Sequence, residues 1–147
     1  MGTNCLAALD ATEKLKLRVK CIEAADICDA NQKAVRLIVW ALVRLYYLQI
    51  IGLKTERNLL DWASEVVPVN SFNDPIFADG RILIKLIEAI EPRVVNWALV
   101  SRGMTYKARL ENAKYAISLA RKLGAVVFIV PDDIPSLNAK MIFVFVC

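Results

Sequence analysis

An internal repeat constrains the fold of this chain more than any other feature. The pattern Asp-Ile-x-x-x-Asn-x-Lys occurs at residues 26–33 and again at residues 133–140. The correspondence continues upstream at a spacing of 108, where Asn4, Ala8 and the pair at 14–15 (Lys-Leu) recur as Asn112, Ala116 and the pair at 122–123. A repeat of about 107 residues is too long for a solenoid unit and has the size of a small domain. We therefore interpret the chain as one whole repeat that is preceded by the end of another.

The composition narrows the possible functions. The 147 residues are 57% hydrophobic, with a mean hydropathy of +0.44, which is typical of a core-rich chain, a membrane-associated chain or one with apolar surface for a partner. A net charge of +4 favours acidic partners only weakly. Because the chain contains no histidine, a histidine-based triad, an imidazole metal ligand and an imidazole pH switch are excluded.

The cysteines and glycines predict neither a metal site nor an enzyme. Cys5, Cys21, Cys28 and Cys147 form no C-x-x-C pair, so we expect buried, reduced thiols of an intracellular protein rather than zinc ligands. No glycine-rich loop that could hold a phosphate is present. The basic cluster at residues 14–18 lacks interleaved aromatic residues, so nucleic acid is not an expected partner. We predict no catalytic residue, no metal and no cofactor.

Hydrophobic periodicity predicts a chain that is almost entirely helical. A polar break is expected at 23–30, and alternating apolar residues at 15–19 are consistent with a short extended segment. Gly52, Gly124 and Pro92 lie where helices are expected to end. The predicted helices cover residues 4–14, 31–51, 55–67, 77–90, 106–123 and the segment from Ser136 onward. The residues expected to face inward are Ile82, Leu83, Leu86, Ile87 and Ile90 in the helix 77–90, and Leu110, Ala113, Ile117 and Ala120 in the helix 106–123.

The predicted helix at 31–51 has two different faces. One face is apolar and consists of Val35, Ile38, Val39, Leu42, Leu45 and Tyr46. Because the flanks are also apolar, the helix is expected to be buried on most sides. The opposite face is basic and aromatic, consisting of Lys33, Arg36, Trp40, Arg44 and Tyr47. A membrane span is conceivable over the apolar stretch 37–53. Because Arg44 lies at its middle and a charge there is costly in a bilayer, we favour a buried helix and predict no membrane span.

The ordered motifs of residues 59–134 resemble the calponin homology domain family, and most closely the last such domain of fimbrins (plastins). The segment 31–51 likewise resembles the closing helix of the third calponin homology domain of fimbrins. The motifs include Leu-Leu-Asp-Trp at 59–62, Phe-Ala-Asp-Gly-Arg-Ile-Leu at 77–83, Glu-Pro-Arg-Val-Val-Asn-Trp at 91–97 and Ala-Arg-Lys-Leu-Gly at 120–124.

The resemblance implies a fold and a domain organisation. We expect an all-α calponin homology domain with a four-helix core and long connections at residues 53–147, its last helix truncated. Residues 1–52 would be the C-terminal part of a preceding domain of the same kind. The chain departs from the family at Cys21–Ala24 and at Ala30, where glycines are usual, and at Arg36, where leucine is usual.

The resemblance also implies a function. We expect binding to filamentous actin, as part of a fimbrin-like crosslinking protein of the cytoplasmic actin cytoskeleton. Self-association through the apolar helix 34–51, should it be exposed, is a further expectation. The alternatives are a regulatory or protein-interaction module that does not bind actin, a truncated product without function, and an ordinary solvated surface. The candidate actin-binding residues are Lys33, Arg36, Arg44, Tyr47, Lys54 and Arg57.

Overall fold

The computed structural model describes residues 2–17, 19 and 22–147. These residues divide into two compact units, 1–52 (unit 1) and 53–147 (unit 2). All regular structure in the described part of the chain is helical, which confirms the predicted all-α class. The α-helices are α1 (Gly2–Lys14), α2 (Ala24–Cys28), α3 (Gln32–Ile50), α4 (Glu56–Val66), α5 (Arg81–Ile90), α6 (Tyr106–Lys122) and α7 (Ala139–Val146).

Unit 1 corrects two expectations from the sequence. The polar break at 23–30 contains the short helix α2, which packs against α1. This packing brings the Cα atoms of Cys5 and Cys28 to 5.8 Å, and the two residues form a disulfide. The expectation of reduced thiols is therefore wrong for this pair, because sequence spacing does not reveal which helices pack side by side.

Other expectations at the end of α1 are tested only in part. Leu15 and Lys16 form a turn rather than an extended segment. Arg18, Lys20 and Cys21 lie outside the described residues.

The two copies of the repeat motif fold in the same way. In the first copy, the Asp26 carboxylate accepts hydrogen bonds from the Glu23 amide at 2.9 Å and from the Asn31 side chain at 3.0 Å. In the second copy, the Asp133 carboxylate accepts equivalent bonds from residues 130 and 138, at 3.0 and 2.8 Å. The motif therefore forms a turn that is closed by hydrogen bonds of its own side chains. This turn immediately precedes α3 in the first copy and α7 in the second.

The residue before each motif asparagine has a left-handed backbone. The φ angle is 51° at Ala30 and 55° at Leu137. Residues other than glycine adopt this conformation at a cost of roughly 1–2 kcal/mol. The loss of glycine at Ala30, noted above as a departure from the family, is therefore tolerated with strain.

Replacement of Ala30 by glycine is expected to raise the free energy of unfolding by about 0.5–1 kcal/mol. Glycine removes the left-handed strain, although it also gives the unfolded chain more freedom. Urea denaturation followed by circular dichroism measures the change. Ala41→Gly, inside α3, is the matched control and should lower stability by about 1 kcal/mol. Loss of stability in Ala30→Gly would contradict the strained turn.

Unit 2 has a helical core with an aromatic centre. The ring centroid of Phe72 lies 5.6 Å from that of Phe143 of α7, in an edge-to-face arrangement, and 6.0 Å from that of Phe77. Helix α5 buries most of its predicted inward face against α6 and α4. The exception is Ile90, which is 65% exposed. The predicted inward residues that are buried in α5 and α6 are Ile82, Leu83, Leu86, Ile87, Ala113, Ile117 and Ala120.

Two helix starts in unit 2 are later than the sequence predicts. The predicted helix 77–90 begins at Arg81, because residues Pro75–Asp79 form a 3-10 turn that ends at Gly80 with a φ of 73°. The last helix begins at Ala139 rather than near Ser136, because the repeat turn occupies the intervening residues.

One buried asparagine organises the long connection between α5 and α6. The Asn112 side chain is 1% exposed and donates hydrogen bonds to the carbonyl oxygens of Asp79 at 2.8 Å and Ser101 at 3.0 Å. Its own oxygen accepts from the Ser101 amide at 2.9 Å. Gly103 packs closely against Asp79, since a Cβ at position 103 would lie 2.6 Å from the Cβ of Asp79.

The end of α7 contains a free thiol. Burial, and to a lesser extent the Glu56 carboxylate, raises the pKa of Cys147 from 9.0 to about 12. This thiol is therefore protonated at neutral pH and is a weak nucleophile. As for membranes, none of the helices in the described residues combines the length and apolar character needed to span a bilayer.

Candidate functional site

Helix α3 brings four of the six candidate residues onto one face. Lys33, Arg36, Arg44 and Tyr47 fall within an arc of about 80° and extend along about 20 Å of the helix axis. Lys33 and Arg36 are exposed, whereas Arg44 and Tyr47 are half-buried. We call these four residues the basic face. Because α3 carries no acidic side chain, its positive charge is not offset within the helix.

Arg36 is exposed and anchored within its own helix. Its Nε donates to the carbonyl oxygen of Gln32 at 3.1 Å, and a terminal nitrogen donates to the Gln32 side-chain oxygen at 3.2 Å. The arginine in place of the usual leucine therefore carries no burial penalty. These bonds hold the charged group close to the helix surface.

Aromatic side chains accompany the cations. Tyr47 lies edge-to-face against Tyr46, with ring centroids 5.7 Å apart. Trp40 lies between Arg36 and Arg44 along the basic face and is partly exposed. Arginine, tyrosine and tryptophan are the residue types that most often anchor protein interfaces.

The remaining two candidates belong to unit 2. Lys54 is exposed just before α4, whose first turn is capped by the Thr55 hydroxyl accepting from the Asn58 amide at 3.3 Å. Arg57 pairs with Asp61 at 2.9 Å, with both side chains more than half exposed. An exposed pair of this kind contributes little stability and can be exchanged for a partner's charge.

The apolar face of α3 is the main feature that the sequence misplaced. The helix was expected to be buried on most sides, with exposure entering only through the expected self-association, yet Val39 is 53% exposed and Tyr46 is 60% exposed. The buried positions of α3 are Ala34 and Leu48, which lie on a neighbouring face. Periodicity identifies an apolar arc but not whether this chain supplies its neighbour. We call the exposed residues the apolar stripe, which consists of Val35, Val39, Leu42, Tyr46 and Ile50.

The described side chains offer no alternative centre for metal chemistry. Nowhere among them do three or more cysteine, aspartate or glutamate residues form a group that could hold a metal ion. The chemistry available at the basic face is that of a binding surface, with cations and aromatic edges on a rigid helix.

Comparison with known proteins places these features in context. The family model for the calponin homology (CH) domain matches residues 53–147. Fimbrin-4 of Arabidopsis thaliana is 35% identical over 157 residues, which cover 96% of this chain and 24% of that protein. Plastin-3 of Homo sapiens is 31% identical over 160 residues, which cover 98% of this chain and 25% of that protein. The chain therefore spans about a quarter of the length of these relatives.

A solved structure extends the likeness to three dimensions. The crystal structure of the actin-crosslinking core of Schizosaccharomyces pombe fimbrin superposes with a TM-score of 0.91 at 28% sequence identity. The match covers 99% of this chain and 33% of that one. Together these similarities confirm the resemblance that the sequence motifs predicted.

Proposed function

The chain belongs to the calponin homology domain family, and we propose that it binds the side of actin filaments as part of a fimbrin-like crosslinking protein. The observation that carries the proposal is the likeness of 99% of the chain to a fimbrin actin-crosslinking core. The function is non-catalytic, and its place is the cytoplasmic actin cytoskeleton.

We further propose that residues 1–52 are the C-terminal part of a preceding calponin homology domain. Helix α1 ends at Lys14, and α6 ends at Lys122, which is the residue that corresponds to Lys14 in the repeat. The same turn then leads into α3 and α7, with matching hydrogen bonds at Asp26 and Asp133. Unit 1 therefore corresponds, element by element, to the second half of unit 2.

The basic face of α3 is the proposed filament contact in unit 1, and Lys54 and Arg57 are proposed as separate contact residues in unit 2. The surface of actin is acidic, so cations on a rigid helix provide complementary charge, and the half-buried Tyr47 adds apolar contact area. Arg57 would exchange its exposed partner Asp61 for an actin carboxylate. A single module of this kind binds weakly, because high avidity requires a second linked module.

Co-sedimentation with filamentous actin tests this function. The triple change Lys33→Ala, Arg36→Ala and Arg44→Ala is expected to weaken binding by about tenfold or more, since each interfacial cation contributes about 0.5–1 kcal/mol. Binding of the unaltered chain should also weaken as salt rises from about 50 to 200 mM. The matched control changes three exposed cations at the end and start of α6 to alanine: Lys107, Arg121 and Lys122.

The control separates a specific surface from net charge. Both triple variants lose the same charge, so only the α3 variant should lose binding. Equal weakening of actin binding by both triple variants would refute the basic face as the contact surface, while the proposal that the chain binds actin would stand. A soluble, folded chain that never pellets with actin would instead favour the interaction-module alternative.

A further inference from the structure

The connection that follows α6 contains a run of apolar residues without regular structure. Residues 125–130, which we call the edge segment, form neither a helix nor a turn. They lead from the end of α6 back toward its start, where the Tyr106 hydroxyl donates a hydrogen bond to the Asp132 carboxylate at 2.7 Å. The edge segment lies within the part of the chain that matches the calponin homology domain.

Exposure alternates from residue to residue along the edge segment. Val126 is 78% exposed, Phe128 is 61% exposed and Val130 is 54% exposed, whereas Ile129 is 3% exposed and Val127 is half-buried. A period of two is that of a β-strand with one face buried and the other in solvent. β-branched and aromatic side chains favour this conformation. The backbone at Val130 is extended, with a φ of −97° and a ψ of 154°.

The backbone in the middle of the edge segment has no hydrogen-bond partner. The amide of Ala125 donates to the carbonyl oxygen of Ala120, and the amide of Val130 donates to the Asp133 carboxylate. Between them, the amide and carbonyl groups of residues 126–129 form no hydrogen bond in the part of the chain that the structure describes. An exposed extended segment with unpaired backbone groups is a template for pairing with another strand.

The charges at the two ends of the edge segment indicate a second copy of the same segment as its partner. No charged residue lies between Lys122 and Asp132. Arg121 and Lys122 precede the segment and Asp132 and Asp133 follow it, and all of these except Asp133 are exposed. Two copies in antiparallel orientation place the basic end of each beside the acidic end of the other. A parallel orientation would instead bring like charges together, which is unfavourable.

We propose that the edge segments of two copies pair as antiparallel strands, centred on Val127. This register places Val126 of each copy opposite Phe128 of the other, and Lys122 opposite Asp132, because the members of each pair are equally distant from Val127. Side chains that lie directly opposite on one face have Cβ atoms about 5 Å apart, and pairs of an aromatic and a β-branched residue stabilise such strands. The contact is isologous, so it closes as a dimer.

The size of the contact sets its expected strength. Two paired segments of six residues bury roughly 700 Å² in total, which is below the range of stable interfaces, so the dissociation constant should be about 100–500 µM. At the few micromolar of chain used in co-sedimentation, the dimer is a minor species. This association requires no actin, and its failure would leave the proposed filament contact untouched.

Sedimentation equilibrium of the full chain without actin, from about 20 µM to about 1 mM in about 50 mM salt, tests the proposal. The segment variants are Val126→Asp and Phe128→Lys, at exposed positions, and Lys122→Glu changes only a flanking charge. The controls are Leu99→Asp, at a residue 64% exposed outside the segment, and Tyr46→Asp, at a residue 60% exposed on the apolar stripe. Circular dichroism verifies the fold of each variant, and non-reducing gels detect covalently joined copies.

The unaltered chain and both controls should form dimers of 16.5 kDa chains and nothing larger. Val126→Asp and Phe128→Lys should each weaken dimerisation by about tenfold or more, because each alters two cross-strand contacts per dimer, and Lys122→Glu should weaken it by about fivefold.

An equal mixture of Val126→Asp and Phe128→Lys tests the register. It should recover dimerisation to within about threefold of the unaltered chain, because the mixed dimer contains one Asp–Lys pair and one unaltered pair. A mixture as weak as its two components would overturn the proposed pairing. Loss of association in Tyr46→Asp alone would place the contact on the apolar stripe and overturn it, as would a chain that remains a monomer at about 1 mM.

Discussion

Replacement of Asn112 by alanine is expected to lower the free energy of unfolding of unit 2 by about 4 kcal/mol. The Asn112 side chain is 1% exposed and makes hydrogen bonds that join α6 to Asp79 and Ser101. Each bond contributes about 1 kcal/mol, and each buried group left without its partner adds a desolvation cost. The connection between α5 and α6 would lose its main attachment to the core.

The repeat supplies a matched control for this change. Asn4 corresponds to Asn112 but is exposed on α1, so Asn4→Ala should change stability by less than about 0.5 kcal/mol. Urea denaturation of both variants, followed by circular dichroism, measures the difference. Similar effects of the two substitutions would show that the buried network at Asp79 and Ser101 is not the source of stability.

Reduction of the Cys5–Cys28 disulfide is expected to destabilise unit 1 by about 3 kcal/mol. The two cysteines are 23 residues apart, and closing a loop of this length removes about that much conformational free energy from the unfolded chain. Unit 1 depends on this bond because it buries few large side chains; in α3 only Ala34 and Leu48 are buried.

Hydrogen exchange with and without dithiothreitol measures this effect in each unit. Exchange should accelerate in α1–α3 after reduction and remain unchanged in α4–α7. The double variant Cys5→Ser and Cys28→Ser should behave as the reduced chain does and should no longer respond to dithiothreitol. Faster exchange in both units, or in neither, would contradict a stabilising role confined to unit 1.

The sequence predicted the helices of unit 2 well because several independent signals agreed there. In α6 the apolar period and Gly124 predicted a helix at 106–123, and the observed helix is Tyr106–Lys122, with Thr105 as its N-cap. The start of α5 was predicted too early because Phe77 and Ala78, which are buried, continue the apolar pattern within a 3-10 turn. Burial pattern alone does not separate these two kinds of helix.

The failures in unit 1 share a physical cause. The helix at 31–51 was expected to be buried on most sides because an apolar arc normally packs against a neighbour, but in the described part of the chain much of this arc is exposed. The disulfide was missed because four cysteines with no motif spacing do not specify a pairing. Both errors concern which surfaces meet, which depends on tertiary packing rather than on local pattern.

For the candidate site too, the sequence predicted local position on the helix but not burial in the folded chain. Periodicity placed Lys33, Arg36, Arg44 and Tyr47 on one face, as the structure has them. The sequence does not determine whether Arg36 is buried or exposed. In the structure it is exposed, and its bonds to Gln32 hold it at the helix surface. Actin as the partner rests on the family resemblance; the residues by themselves indicate only a basic, aromatic surface.

The turn that precedes α3 and α7 has a consequence for how the chain folds. The side-chain bonds that close it join residues only three or five positions apart, such as Glu23 to Asp26 and Asp26 to Asn31, so loop closure costs little. Contacts of this short range form early, whereas the bond from Asn112 to Asp79 spans 33 residues and must await collapse of the chain. The repeated turn can therefore set the starting points of both helices before either unit has a core.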